Sequence, residues 1–309
     1  MNDVALALGG GGARGIAHIH VLEALDELGV VPTRIVGSSI GAIIGVGYAA
    51  GMSGAEIRGF VLETFASRRE VLARLWRTRP ASFHDFVADG GLRIGQLNAE
   101  RVLGVFLPSA LPKRFEDLRI PLGVMATDFY ARLECEIDSG DLLSAVAASC
   151  ALPAIFRPVR RKGQVLIDGG IFNPLPFDRL CDRADFVLAV DVNGGPEGDG
   201  TSLPTPLEAT FGATQLMMHA ILETKLKIRA PDVLLRPPVG RFRVLDFLLT
   251  RQILEQTAPL KEEAKRAIDR LLAPAAPQEG TGGSSGRADL SAPAGPLPRE
   301  SASGPSLPA

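Results

Sequence analysis

The sequence has few of the residues on which several large classes of protein depend. Only three of its 309 residues are cysteine (Cys135, Cys150 and Cys181), an odd number without the spacing of metal ligands. Neither a disulfide framework nor a cysteine-based metal site is therefore expected. Such cysteine usage is typical of a reducing compartment, so a cytoplasmic protein is the expectation.

An excess of charge of one sign is also missing. The 33 basic and 35 acidic residues give a net charge of −2, which excludes a general attraction to nucleic acid. The longest uncharged apolar run, residues 40–52, is shorter than the roughly 18 residues that a membrane-spanning helix needs. No basic segment of a secretory signal opens the sequence. We expect a soluble protein that makes at most weak, transient peripheral contact with membranes.

The composition changes at residue 274. The last 36 residues include seven proline, six glycine and six serine residues and almost no large apolar side chains. Such a segment cannot bury enough surface to offset the entropy lost on ordering it. The sequence therefore predicts one globular domain over residues 1–273 and a disordered tail over residues 274–309.

Short apolar runs alternate with helical patterns along the predicted domain. Strands are predicted at residues 4–8, 34–37, 120–128, 133–138, 164–168 and 186–191. Helical patterns cover residues 14–28, the segment after residue 37 to about residue 50, much of 54–106, 141–150, 207–228 and 244–272. Short, wholly apolar strands between helices are typical of an α/β fold with a mostly parallel sheet and helices on both faces. In such folds sites lie beyond the carboxyl ends of the strands.

GGGGARG, residues 9–15, joins the first predicted strand to the first predicted helix. Gly10, Gly12 and Gly15 match the G-x-G-x-x-G pattern of dinucleotide-binding loops. That pattern also requires an acidic residue at the end of the second strand, and residues 30–35 contain none. The segment instead indicates a loop whose bare amide groups can approach an anion closely.

GSSIG, residues 37–41, has the G-x-S-x-G pattern of a nucleophile elbow between a strand and a helix. Ser39 holds the central position, and Gly37 and Gly41 leave room for the strained turn. A serine that only caps the following helix is the alternative. Together with the amide-rich loop on the neighbouring strand, the pattern favours Ser39 as a nucleophile that faces an oxyanion hole.

A serine nucleophile needs a base, and histidine is scarce. His18 and His20 lie in the first predicted helix, and His84 lies in a linker-like stretch. His219 follows Ser39 and several acidic residues, as a Ser-Asp-His triad requires, but a lone histidine in a helix is more often a packing or surface residue.

Carboxylates are better placed than histidines. Asp128, Asp168 and Asp191 each end a predicted strand, at the edge of the sheet where Ser39 is expected. Spacing alone leaves all three open. The glycines at 169 and 170 slightly favour Asp168, because they let its backbone approach another loop closely.

Three of these segments together resemble the motifs of patatin-like phospholipases. They are GGGGARG (9–15), GSSIG (37–41) and DGGIFNPLP (168–176), and ASCALPAIFRPV (148–159) is similar to a segment that bacterial members carry before the Asp motif. The resemblance covers about residues 4–195. Ser38 stands where many members have threonine.

The resemblance implies a patatin-type three-layer fold and a catalytic Ser–Asp dyad that uses no metal or other cofactor. It assigns the nucleophile to Ser39, the base to Asp168, and the oxyanion amides to Gly10, Gly11 and Gly12. The implied activity is hydrolysis of phospholipid or lysophospholipid esters through an acyl-enzyme. A transacylase with the same acyl-enzyme and a low-turnover binding or regulatory protein are the alternatives.

Two further features bear on the substrate. Arg14 follows the Gly-rich loop, where it can meet a substrate phosphate or brace the turn by pairing with a carboxylate. Residues 67–79 place Val71, Leu72, Leu75 and Trp76 on one side of a helix with arginines around it, as in a lipid-facing lid or, the favoured interpretation, an ordinary amphipathic helix on the sheet.

Overall fold

The computed structural model of the protein describes residues 3–78, 97–196 and 203–273. All of these residues belong to one compact unit, Met1–Ala273. The predicted tail, residues 274–309, and His84 lie outside the described residues.

Within the described residues eight strands form one sheet. The strands are β1 Val4–Leu8, β2 Arg34–Ser38, β3 Leu122–Asp128, β4 Leu133–Ile137, β5 Val159–Arg161, β6 Gln164–Asp168, β7 Phe186–Val190 and β8 Val233–Leu235. Their order in the sheet is β5-β6-β3-β2-β1-β7-β8, with β4 also paired to β3. The five neighbouring strands β3, β2, β1, β7 and β8 run parallel, and β4, β5 and β6 pair antiparallel at one side, so the mostly parallel sheet is confirmed.

Helices cover both faces of the sheet. The described helices are α1 His18–Leu28, α2 Ile40–Ala49, α3 Gly54–Thr64, α4 Arg68–Arg77, α5 Ala99–Phe106, α6 Leu142–Ser149, α7 Pro206–Ile228, α8 Thr250–Thr257 and α9 Pro259–Leu272. The single helix predicted over residues 244–272 is wrong. The chain forms α8 and α9 instead, because Pro259 has no N–H with which to continue α8, whereas it fits the first turn of a new helix.

Alternate residues of the central strands pack into two separate apolar clusters, one on each face of the sheet. On β1, Leu6 and Leu8 pack with the larger apolar cluster, which includes side chains of α1, α2, α6 and α9. Ala5 and Ala7 point to the opposite face, where the smaller cluster contains Phe177 and side chains of α7. Because both faces are buried, the strands read as continuous apolar runs, and the expected three-layer architecture is confirmed.

Strands β2 and β6 both pair with the same edge of β3, one after the other along its length. Ser38, the last residue of β2, pairs with Met125, and Asp168, the last residue of β6, pairs with Ala126. Strand β4 pairs with Val124–Asp128 and therefore occupies the other edge. Since β2 runs parallel to β3 and β6 runs antiparallel, their carboxyl ends meet. This register brings the residue after β2, Ser39, next to Asp168.

The glycine after Asp168 allows this close meeting. A Cβ atom on Gly169 would lie 2.1 Å from the carbonyl oxygen of Met125, the residue with which Ser38 pairs. A side chain at position 169 would therefore push β6 away from β3.

We expect Gly169→Ala to lower the free energy of unfolding by about 1–3 kcal/mol, as overpacking of a tight contact does. Gly59→Ala is the matched control, because a Cβ there meets no heavy atom of the described residues within 4 Å and the residue lies in α3. That control should gain about 0.5–1 kcal/mol from helix propensity. Thermal or urea unfolding measures the stability of both variants. A Gly169→Ala variant that is as stable as the wild type would contradict the proposed contact.

Candidate active site

Ser39 occupies a strained turn between β2 and α2. Its backbone has φ 53° and ψ −119°, a conformation that residues other than glycine rarely adopt. A Cβ on Gly37 would lie 2.6 Å from the amide nitrogen of Ala42, and a Cβ on Gly41 would lie 2.2 Å from the carbonyl oxygen of Leu8. The two flanking glycines are therefore required by the turn itself.

A residue that the sequence analysis did not identify holds this turn in place. The backbone N–H of Ser39 donates to the hydroxyl oxygen of Ser149 at 2.8 Å, and Ser149, the last residue of α6, is fully buried. The side chain of Ser39 makes no capping hydrogen bond to α2. The capping alternative is thus excluded, and the hydroxyl group is available for another partner.

That partner is Asp168. The Ser39 hydroxyl donates to Oδ2 of Asp168 at 2.8 Å, and the backbone N–H of Gly170 donates to Oδ1 at 2.8 Å. The carboxylate is 4% exposed. Burial raises its pKa to about 6, although the hydrogen bonds from Ser39 and Gly170 oppose this shift. Asp168 is thus oriented towards the hydroxyl and is a stronger base than an ordinary aspartate.

The other two strand-end aspartates have different partners. Asp128 accepts hydrogen bonds from the backbone N–H groups of Tyr130 and Ala131 and so stabilises the turn after β3. Asp191 forms an ion pair with Arg236, with 3.1 Å between Nε and Oδ2. Of the three candidates that spacing leaves open, the structure brings Asp168 to Ser39.

The described histidines lie elsewhere. His18 and His20 are buried, with Nε2 atoms 2.9 Å and 3.0 Å from the carbonyl oxygens of Gly9 and Leu254. His219 lies on the exposed side of α7. None of the three forms a hydrogen bond with Ser39 or with Asp168 in the part of the chain that the structure describes.

The Gly-rich loop lies against the serine. A Cβ on Gly10 would lie 3.5 Å from Cβ of Ser39. The sequence predicts an oxyanion role for Gly10, but its N–H donates to the Pro174 carbonyl oxygen at 2.9 Å and is therefore engaged. The N–H groups of Gly11 and Gly12 donate no hydrogen bond among the described residues, and both glycines line the cavity beside Ser39.

Arg14 is buried beneath this loop. Its side chain is 2% exposed, and Nε donates to the carbonyl oxygen of Phe242 at 2.5 Å. A Cβ on Gly194 would lie 2.3 Å from the guanidinium carbon, so the guanidinium packs directly against that backbone. These contacts agree with a bracing role, although the acceptor is a carbonyl group.

A cavity of about 480 Å³ opens beside the Ser39–Asp168 pair. Apart from these two residues, the loop glycines and a few other polar groups, its walls are mostly apolar side chains. They come from α2 to α5, from α7 and from the segments 107–111, 150–156 and 244–248. They include Ile44, Phe60, Leu75, Phe106, Met218 and Phe247. The volume is typical of a site for a small organic molecule, and the walls suit a hydrocarbon chain.

The four apolar residues that the sequence predicts on one side of helix α4 lie in two different environments. Val71 and Leu75 line the cavity, whereas Leu72 and Trp76 are 55% and 65% exposed. The helix packs against α5. It therefore presents one apolar pair to the cavity and another to the surface.

Cys150 also lines the cavity, next to the pair. Burial raises the pKa of its thiol well above the ordinary value, and the neighbouring Asp168 carboxylate raises it further. A thiol in this state is a poor nucleophile.

No group of three or more His, Cys, Asp or Glu side chains in the described ranges is arranged to hold a metal ion. No described helix has the length and apolar character needed to cross a membrane.

Comparison with known proteins gives consistent matches. The family model named patatin-like phospholipase matches residues 6–180. An uncharacterized NTE family protein of Mycobacterium tuberculosis is 37% identical over 196 residues, which cover 63% of this chain and 50% of that protein. Patatin-like phospholipase domain-containing protein 6 of Homo sapiens is 30% identical over 280 residues, which cover 80% of this chain and 19% of the human protein.

The chain therefore spans half the length, or less, of these curated relatives. Among solved structures, VipD from Legionella pneumophila aligns with a TM-score of 0.45 and 17% identity, over 85% of this chain and 67% of VipD.

The raised pKa of Asp168 predicts how the reactivity of Ser39 depends on pH. Only the ionised carboxylate can accept the hydroxyl proton, so the rate of labelling by a fluorophosphonate should fall as pH decreases through about 6. Asp128→Asn should keep the same midpoint, because Asp128 does not contact Ser39. A labelling rate that stays constant down to about pH 5 would show that Asp168 is not the proton acceptor.

Proposed function

Because the chain belongs to the patatin-like phospholipase family, we propose that it hydrolyses lipid esters, as a phospholipase A or a lysophospholipase does. The observation that carries the proposal is the 2.8 Å hydrogen bond from Ser39 to Asp168 beside an apolar cavity of about 480 Å³. Ser39 is the proposed nucleophile and Asp168 the proposed base.

The proposed reaction begins when Oγ of Ser39 attacks the ester carbonyl carbon and Asp168 accepts the hydroxyl proton. The N–H groups of Gly11 and Gly12 stabilise the negative oxygen of the tetrahedral intermediate. Collapse of the intermediate releases the alcohol, which takes the proton from Asp168, and leaves an acyl group on Ser39. Water then attacks this acyl-enzyme, with Asp168 again as the base. When the second intermediate collapses, the acyl–Oγ bond breaks, Oγ of Ser39 takes the proton back from Asp168, and the free acid leaves.

The apolar walls of the cavity are proposed to bind the acyl chain. Each methylene group that leaves water for such an environment contributes about 0.8 kcal/mol. Long-chain esters should therefore bind more tightly than short-chain esters, up to the length that the cavity holds. Arg14 is proposed to brace the Gly-rich loop, because its guanidinium is buried and bonded to the carbonyl oxygen of Phe242.

Weak peripheral contact with a lipid surface is part of the proposal. Leu72 and Trp76 are exposed on the helix whose other apolar pair lines the cavity. In the basic segment 156–162, Arg160 and Lys162 are exposed, whereas Arg161 is buried. Each exposed cation near an anionic surface contributes about 1 kcal/mol, and salt screens this attraction.

Ser39→Ala should lower esterase activity by about 10³-fold to 10⁶-fold, as the loss of a serine nucleophile does in comparable sites. Ser38→Ala is the matched control. The Ser38 hydroxyl is buried and has no hydrogen-bond partner among the described residues, so its removal should leave most of the activity. Hydrolysis of a short-chain soluble ester measures both variants, and equal losses would refute the assignment of Ser39.

Asp168→Asn should be nearly as damaging as Ser39→Ala, because asparagine fits the same space but cannot accept the proton. His219→Ala should be nearly silent, since His219 lies exposed on α7. Activity and melting temperature should be measured together. A folded but inactive His219→Ala protein would overturn the dyad in favour of a triad.

Trp76→Ala should lower activity on anionic phospholipid vesicles more than activity on a soluble short-chain ester, because only the vesicle presents a surface. Val31→Ala is a suitable control: Val31 is 70% exposed but precedes β2, away from the carboxyl edge of the sheet. Raising the salt concentration should weaken vesicle binding. Equal losses on the two substrates would indicate that Trp76 serves packing alone.

A further inference from the structure

His18 is the first residue of α1 and lies just after the Gly-rich loop. Its side chain is 0% exposed, and its Nε2 atom is 2.9 Å from the carbonyl oxygen of Gly9. A carbonyl oxygen can only accept a hydrogen bond, so Nε2 must carry the hydrogen. His18 is therefore a buried donor aimed at the first glycine of the loop.

The ring has one protonation state near neutral pH. Burial lowers the pKa of His18 to about 4, so the ring is uncharged. Its Nδ1 atom has no hydrogen-bond partner within the described ranges, which agrees with a nitrogen that carries no hydrogen. Because the ring forms no hydrogen bond with Ser39 or Asp168 among the described residues, it is not placed to transfer a proton within the proposed dyad.

The bond from His18 immobilises one peptide unit of the loop. The carbonyl of Gly9 and the N–H of Gly10 belong to the same planar peptide. One accepts from His18, and the other donates to the Pro174 carbonyl oxygen at 2.9 Å. This peptide unit is therefore held at both ends.

The residues on either side of the loop are also bonded. The N–H of Gly9 donates to Val190, and the N–H of Ala13 donates to the carbonyl oxygen of Val244 at 2.8 Å. Between these fixed points, Gly11 and Gly12 have N–H groups that donate no hydrogen bond to any residue the structure describes. Consecutive glycines have wide conformational freedom, so the orientation of these two amides depends on the bonds around them.

We propose that His18 is a positioning residue, whose hydrogen bond to the Gly9 carbonyl oxygen orients the Gly11 and Gly12 amides towards the oxyanion. The proposal rests on the proposed function. Since His18 acts on the loop and is not among the described residues that line the cavity, loss of its donor should weaken stabilisation of the transition state and leave substrate binding unchanged. The effect should appear in kcat and not in KM.

The test compares His18→Met with His18→Gln. Methionine fills similar space without a donor, whereas glutamine places an amide N–H close to the position of Nε2. On a soluble short-chain ester, His18→Met should lose about 10-fold to 100-fold in kcat with little change in KM, somewhat less than the loss of a whole oxyanion donor. His18→Gln should recover most of that loss.

A trifluoromethyl ketone gives a second readout, because addition of Ser39 to its carbonyl creates an oxyanion in the same place. It should bind the wild type and His18→Gln alike, and His18→Met more weakly by about the same factor as the loss in kcat. Melting temperatures identify a variant that fails to fold. In that case a folded His18→Gln protein with a kcat loss of 10-fold or more would still overturn the proposal.

Fluorophosphonate labelling separates failure of this inference from failure of the proposed function. Labelling uses the serine and the oxyanion amides but requires no ester turnover. A wild-type protein that is labelled and yet hydrolyses no ester would contradict the hydrolase proposal alone. A His18→Met protein that is labelled as fast as the wild type would overturn the role of His18, as would equal kcat losses in the two variants.

Discussion

A carboxylate out of contact with water is stable only if hydrogen bonds replace its lost hydration, and the site is organised around one such group. Asp168 is 4% exposed and accepts hydrogen bonds from the Ser39 hydroxyl and the Gly170 N–H. The compensation is incomplete, which is why its pKa rises to about 6. Because the lost hydration is only partly replaced, the carboxylate is also a better base, so the proposed dyad needs no histidine to accept the proton.

Much of this arrangement could be predicted from the sequence because the motifs are local and each has a steric cause. The glycines around Ser39 and after Asp168 are needed by contacts that the structure shows directly. The six predicted strands lie within one or two residues of their observed bounds. For the parallel strands β1, β2, β3 and β7 the reason is that buried parallel strands form continuous apolar runs. Local patterns alone left three aspartates open, and the family resemblance chose Asp168 among them.

The features that were missed depend on distant parts of the chain or on very short segments. Ser149 binds the Ser39 amide from a helix that begins more than 100 residues later, and nothing near either residue indicates the contact. Strands β5 and β8 have three residues each, too few to show a period. The bond between Gly10 and Pro174 joins two motifs that the sequence treats separately. A quarter of the described residues that line the cavity, including Phe247, lie outside the residues matched by the family model, and others belong to α3, α4 and α5, between the motifs. Substrate preference could therefore not be inferred from the motifs.

The end-to-end pairing of β2 and β6 on β3 makes strand alignment a determinant of chemistry as well as of fold. Adjacent residues along a strand are about 3.3 Å apart and point to opposite faces. If β6 slipped by one residue against β3, position 168 would leave the position opposite Ala126, and its carboxylate would turn away from the serine. The contacts that fix β6 against β3, among them the close approach of Gly169 to the Met125 carbonyl oxygen, therefore also fix the distance between the Ser39 hydroxyl and the Asp168 carboxylate. A substitution that shifts this pairing would separate the two groups without replacing either of them.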